Sequence, residues 1–444
     1  MNYLTNCFSK TLVSYIDKNP VSNAVKVLRL MEKLSFFSEN KPAITKVKNT
    51  ISDPLNPWNE FFRRFKSEVN DNSRKKFLSN FLLNGCIMTT NKKERLRHNL
   101  SRNIPWTLLI DPTSACNLHC TGCWAADYSR TDQLSYEQIN CLINEAKQLS
   151  IHFFLFSGGE PLLRKDDLLR LCREHNDSYF IAFTNGTLVD DKLAEEIAQV
   201  GNFALLFSID GMEASTDERR GKGTYRKVLQ GMKSMRKFGN LFGFSTTYHR
   251  YNTEEIGSEE FMDLLESQGC RFGWYFTYIP IGRDAHPDYI VTPLQRKLMY
   301  EKVREFRRKR PLFLLDFWND AEYIDGCVAG GRYYCHINAK GDAEPCAFIH
   351  YSNANIREMN LLDILNTPLF QQYRKNQPFN KNMLRPCPCL DNPHYLVQMV
   401  NESGAFSTQD HGGEKPEALA RKCLQHAEGW GPVADELWDR KGTN

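Results

Sequence analysis

The sequence predicts an α/β protein: a partial, TIM-like (βα)6 barrel with an N-terminal helical extension and a small Cys-rich C-terminal α+β domain. Three observations carry this. Six short apolar runs (WTLLID, IHFFLF, SYFIAF, FALLFS, LFGFSTT and RFGWYFTYI) alternate with helical stretches from residue 105 to residue 310. The runs are apolar at nearly every position, as in parallel strands covered on both faces. Residues before the first run carry helical patterning alone, and those after 310 turn rich in Cys, Pro and Gly. Six units fall short of the eight in a closed barrel, so the sheet is expected to stay open. The expected boundaries are 1–103, 104–310 and 311–444.

The extension comes first in the chain. Asn19-Pro20 is a good helix start, and Val21, Ala24, Val25, Leu28, Met31 and Leu34 then share one face. "ISDPLNPW" interrupts the pattern, which resumes at "NEFFRRF" and "RKKFLSNFLLNG". Residues 1–105 carry a net charge of +11 against −7 for the rest. A basic amphipathic segment of this kind either packs on the neighbouring domain with a solvated outer face or meets an anionic partner, such as a membrane surface or an acidic leader peptide. In the barrel, helices are expected at Ser135–Leu149, Asp166–His175, Asp190–Gln199, Thr224–Phe238 and Ile256–Gln268, with one more at Thr292–Arg310. Beyond it, HINAKGDAEPC reads as a β-hairpin turning at Lys340-Gly341-Asp342.

Composition narrows the class. With 41% apolar and 25% charged residues and a net charge of +4, the 444-residue chain reads as an ordinary globular protein. No apolar run approaches the ~20 residues that span a bilayer, and the N-terminus lacks a signal-peptide pattern. The expectation is a cytoplasmic protein, peripheral at the membrane if the basic extension binds lipid. Reduced thiols follow, so fourteen cysteines point to metal or catalysis. No dedicated nucleic-acid module, internal repeat or low-complexity tract is present.

The chemistry concentrates at the carboxyl ends of the strands, where such sheets bind ligands. "CNLHCTGCW" follows the first strand and places Cys116, Cys120 and Cys123 within eight positions. Three thiolates can hold three irons of a [4Fe–4S] cluster and leave the fourth open; the alternative is zinc with His119 as fourth ligand. The second strand ends in "FSGGEPLL", whose glycines allow close backbone approach to a ligand and whose Glu160 can take an ammonium. The third ends in "TNGT" and the fourth in "SIDG", offering small polar groups for hydroxyls and a carboxylate.

As a set, the Cys-x3-Cys-x2-Cys loop and the GGEP, TNG and SIDG strand ends resemble the radical S-adenosylmethionine (SAM) superfamily over residues 104–310. The resemblance implies that Cys116, Cys120 and Cys123 ligate a [4Fe–4S] cluster. It implies that SAM binds the open iron, with Gly158, Gly159 and Glu160 at its amino group and Asn185, Ser208 and Asp210 at its ribose or carboxylate. The implied reaction is reductive cleavage of SAM to a 5′-deoxyadenosyl radical that abstracts hydrogen from a substrate. Two features depart from the pattern. Gly122 stands where an aromatic residue usually precedes the last cysteine, with Trp124 after it, and the fifth strand lacks a clear adenine-contacting pattern. "DERRGKGTY" adds Arg220, either at the SAM carboxylate or in a surface ion pair.

The C-terminal region resembles the SPASM or twitch extension of that superfamily, which holds auxiliary iron–sulfur clusters. On that resemblance one auxiliary [4Fe–4S] cluster is expected on Cys327, Cys346, Cys387 and Cys389, with zinc as the alternative metal. Cys335 and Cys423 are further candidate ligands, and Cys7, Cys86, Cys141, Cys172 and Cys270 read as buried or incidental thiols. The resemblance further implies a flavodoxin- or ferredoxin-like electron donor and a peptide or protein substrate. Two competing readings stand beside this one: an enzyme modifying lipid chains at a membrane surface, and a non-catalytic metal- or cluster-binding scaffold.

Overall fold

The computed structural model describes residues 3–33, 41–126, 128–282, 285–410 and 413–442. Seven parallel strands run through its centre: β1 (Thr107–Ile110), β2 (Phe153–Phe156), β3 (Tyr179–Thr184), β4 (Phe203–Ser208), β5 (Phe242–Tyr248), β6 (Phe272–Thr277) and β7 (Phe313–Asp316). Each pairs with the next in chain order. β8 (Tyr334–Ile337) lies parallel on the other side of β1, with Cys335 opposite Leu108. β9 (Ala343–Glu344) then pairs antiparallel with β8. The result is an open, curled sheet in the order β7-β6-β5-β4-β3-β2-β1-β8-β9.

All six expected strands form. The alternation does not stop after the helix Pro293–Lys309, as expected from sequence, but continues into β7. β8 and β9 also join the sheet, so the line drawn at residue 310 falls within one continuous sheet. The physical reason is an edge: β1 would otherwise expose unpaired backbone groups on its free side, and β8 pairs them. The hairpin turns as expected, with Gly341 N–H donating to Asn338 O at 2.9 Å.

Strand alternation divides the apolar side chains between two cores. Leu108, Ile110, Phe154, Phe156, Phe180 and Phe207 point outward to the helices. Leu109, Leu155, Ile181 and Leu206 point into the barrel, where β6 adds Trp274 and Phe276. The outer helices begin where the sequence provides caps. Ser135 and Gln138 form a capping box on Tyr136–Gln148, as do Thr292 and Gln295 on Pro293–Lys309.

The N-terminal extension is helical throughout its described part, including Pro20–Lys33, Pro57–Glu68, Phe77–Met88 and Thr90–Leu100. Of the apolar face expected on Pro20–Lys33, Val25 is buried and Val21, Ala24, Leu28 and Met31 are half-buried; Leu34 and the side chain of Cys7 lie outside the described residues. Phe77 and Phe81 meet Tyr179, and Phe81 meets Phe153, so Phe77–Met88 seals the end of the barrel where the strands begin. Among the described residues no helix is long and apolar enough to cross a membrane. At the other terminus the helix Pro416–Gly442 packs beside Pro293–Lys309. There the fully buried Arg296 pairs with Asp391 and lies 4.4 Å from the ring of Trp430.

Candidate functional site

The barrel interior is a chamber of about 660 Å³ whose lining includes the carboxyl ends of the strands. Cys116, Cys120 and Cys123 all line it. Their loop is fastened at several points. Thr121 N–H donates to Arg219 O at 2.8 Å, the Arg130 guanidinium to Cys116 O at 3.1 Å, and Leu118 N–H to the Cys116 thiol at 3.4 Å. Burial pushes the Cys116 thiol up to about 11 and raises Cys123 as well. Such thiols become thiolates only when a metal centre compensates their charge, and loading then releases protons. His119 is exposed and is not part of the chamber wall, so the zinc alternative lacks its fourth ligand. Among the described residues no three His, Cys, Asp or Glu side chains gather closely enough to hold a single metal ion. An all-thiol rim around a cavity is a donor set that suits an iron–sulfur cluster.

The Gly158-Gly159 pair lines the chamber and also has a packing role. A Cβ on Gly159 would lie 2.0 Å from Ala115 O, and one on Gly158 2.4 Å from Thr113 O. The glycines therefore let this turn nest against the backbone leading into Cys116, where Gly159 N–H donates to Thr113 O and Glu160 N–H to Ala115 O. This fixes Glu160 against the cysteine loop. Glu160 is 1% exposed and accepts bonds from Asn185 N–H (2.7 Å), Thr184 Oγ1 (2.7 Å) and Leu162 N–H (3.0 Å). Burial lifts its carboxyl to about 7 despite those donors. Asn185 bridges back to the loop, its amide donating to Asn117 Oδ1 at 2.8 Å. Gly158, Gly159, Glu160, Asn185 and Ser208 all line the chamber.

Asp210 does not reach it. Its carboxylate is fully buried and is consumed by Arg219 (2.7 Å), Arg220 (2.6 Å) and Thr247 N–H (2.9 Å). Burial opposes its ionisation, but the two guanidiniums win and hold it well below the usual carboxylate range. It is the arginines that face the chamber. Arg220 is thus an interior ion pair, not a surface one, and Asp210 orients it instead of meeting a ligand.

Two chamber residues, Tyr278 and Asp316, were not legible beforehand. Gly122 has φ +62°, and a Cβ there would come within 2.7 Å of the Tyr278 ring. Tyr278, just past β6, thus lays an aromatic ring against the cysteine loop at Gly122, beside the loop's own Trp124 on the chamber wall. Asp316, at the end of β7, also faces the chamber, and burial, with Asp320 beside it, raises its carboxyl to about 6. Behind the loop, His336 on β8 sits between Asp111 (2.8 Å) and Glu344 (2.6 Å). Burial disfavours its charge, yet the two carboxylates lift the imidazole to about 10. Glu344 also accepts from Tyr128 OH at 2.8 Å, so β1, the loop and the β8–β9 hairpin share one buried node.

A second, smaller cavity adjoins the chamber across Phe317 and Phe348, and Cys327, Cys346 and Cys387 line it with no carboxylate or imidazole among them. Cys389 does not line this cavity but is buried beside it, its N–H donating to the Cys387 thiol at 3.4 Å and its Sγ 3.8 Å from that of Cys423. Cys335 is buried on β8 within the outer core, while Cys86 is not incidental: it lines the chamber.

Family comparison agrees with this geometry. Residues 110–265 match the radical SAM superfamily and residues 327–390 match SPASM, an iron–sulfur cluster-binding domain. The chain is a radical SAM enzyme with a SPASM domain. Its cofactors are SAM and iron–sulfur clusters. This radical SAM chain is 27% identical to the AdoMet-dependent heme synthase of Methanosarcina barkeri, over 62% of this chain and 85% of the relative. It is 25% identical to the PqqA peptide cyclase of Granulibacter bethesdensis, over 61% of this chain and 76% of the relative. Streptococcus suis SuiB bound to S-adenosylmethionine shares its fold, with a TM-score of 0.56 at 18% identity over 80% of this chain and 83% of SuiB.

Proposed function

We propose that Cys116, Cys120 and Cys123 hold the SAM-engaging [4Fe–4S] cluster, that Gly158, Gly159, Glu160, Asn185 and Ser208 seat SAM, and that the substrate is a peptide or protein. The observation that carries this reading is the convergence of the three thiols, the buried Glu160 and the Arg219–Arg220 pair on one chamber. When bound, cluster and SAM together supply a 5′-deoxyadenosyl radical able to remove a hydrogen atom from an unactivated C–H bond.

The chain's own residues then have defined tasks. Glu160 offers a carboxylate to an ammonium, which restores the ionised form that burial disfavours. Arg220, aimed by Asp210, offers a guanidinium to a carboxylate. Tyr278 gives a flat apolar surface beside Gly122 for a purine. Asp316 can hold or take a proton near neutrality. Trp106, Phe183, Trp274 and Phe276 exclude water from the chamber's middle. Cys327, Cys346 and Cys387 are the proposed ligands of one auxiliary cluster, and the external reductant is a flavodoxin- or ferredoxin-like protein. A peptide substrate is supported by the similarity to the PqqA peptide cyclase.

The test is anaerobic purification, reduction in the presence of SAM and quantification of 5′-deoxyadenosine. The wild type is expected to form it and Cys116→Ala to form none. Undiminished product from the variant would remove the ligand assignment.

A further inference from the structure

The chamber does not end at the SAM side. Its wall continues past the start of β1 to the N-terminal extension, where Cys86, Thr90, Lys93 and Arg97 line it. A four-residue strand rises roughly 3.3 Å per residue, so the cysteine loop and this floor lie at opposite ends of the barrel. Lys93 is only 5% exposed. Among the described residues its ammonium has no hydrogen bond and no ion pair. Neighbouring Arg97 is spent on Glu94, Ile104 O and Arg332 O, and Glu94, which also borders the chamber, is largely solvated and pairs with Arg97 instead of Lys93. Burial lowers Lys93 to about 8, so it remains mostly charged at neutral pH.

An interior ammonium without a counter-ion is costly, and buried cations are ordinarily paired. Here the side chain borders the chamber. We propose that Lys93 is the anchor for a carboxylate of the substrate, whose apolar body lies along Trp106, Phe183, Trp274 and Phe276 with its reacting end toward Cys116. Among the described residues Lys93 is the one lysine on the chamber wall, and a single ammonium matches a monoanion, which favours a carboxylate over a phosphate. The N-terminal extension thereby becomes part of the substrate site instead of a mere cover. This deepens the radical SAM reading and rests on it only for the direction of the reacting end.

The test uses the full-length protein, without SAM or reductant, and reads quenching of the chamber tryptophans by 1-pyrenebutyrate and by its methyl ester. The wild type is expected to bind the acid about tenfold or more tightly than the ester, the value of one charge-assisted hydrogen bond. Lys93→Met should erase that preference while ester binding persists, which certifies an intact chamber, and Lys93→Arg should keep it. Replacing an unpaired buried cation by an apolar chain should also leave Tm unchanged or raise it. Equal binding of acid and ester by the wild type, or an undiminished acid preference in Lys93→Met, overturns the proposal. Because no radical step enters this measurement, its failure is separable from failure to form 5′-deoxyadenosine.

Discussion

Burial outweighs the three donors of Glu160 and lifts its carboxyl to about 7 in the free protein. An ammonium placed beside it lowers that value, so SAM binding must expel a proton. Below pH 7 the affinity for SAM is therefore expected to fall by up to tenfold per pH unit, and to level off above it. Calorimetry in two buffers of different ionisation enthalpy reads the released proton; identical heats in both would contradict the assignment. The sign for folding runs the other way. The folded carboxyl is raised from 4.5 to about 7, so its contribution to stability is present below 4.5 and is lost as pH rises toward 7. Asp210→Ala should act on stability first, since it strands two interior guanidiniums. A loss of about 3–5 kcal/mol is expected by chemical denaturation. Glu160 could be found from sequence because GGEP is contiguous. Tyr278 and Lys93 could not, since each enters the chamber through tertiary packing from more than a hundred residues away or from another element altogether.

Strands and helices were legible where local pattern decides them. All six core strands and their helices carry their own apolar periodicity and caps, for example the Ser135 box. β7 was hidden because FLLD is four residues long and follows the basic end of Pro293–Lys309 directly. β8 was visible as a hairpin strand, but its pairing with β1 joins segments more than two hundred residues apart and leaves no local trace. The cysteine groupings divide in the same way: the three-cysteine loop is one short segment, whereas Cys423 meets Cys389 only through the helix Pro416–Gly442. The loop of Cys387 and Cys389 is tied to the helix Pro293–Lys309 by the pair of Arg296 and Asp391, whose carboxylate also accepts from Cys387 N–H at 3.0 Å, and Arg296 in turn lies against Trp430 of Pro416–Gly442. Arg296→Met should cost about 3–5 kcal/mol by leaving Asp391 buried and unpaired. It should also accelerate alkylation of Cys387 relative to Cys172, which lies outside this node. Unchanged thiol reactivity would show that the ion pair does not hold the loop.

At the scale of the whole chain, the two cysteine-lined cavities stand side by side, divided by Phe317 and Phe348. Anaerobically prepared protein is expected to carry about eight irons if each cavity serves one [4Fe–4S] cluster. The triple variant Cys327→Ala, Cys346→Ala, Cys387→Ala should retain about four and still yield 5′-deoxyadenosine. Iron counting with Mössbauer spectra checks this, and a wild type with only four irons sinks the auxiliary cluster. The described basic extension packs against the barrel floor through Phe77 and Phe81.

One earlier feature governs how such titrations can be interpreted. His336, clasped by Asp111 and Glu344, keeps its proton far into the alkaline range. The junction where β1 meets the β8–β9 hairpin is thus electrically silent across the interval in which Glu160 changes charge. Acidity becomes a reporter of the chamber wall here: a curve of ligand affinity against pH reads Glu160, Asp316 and Lys93, with this junction contributing a flat baseline.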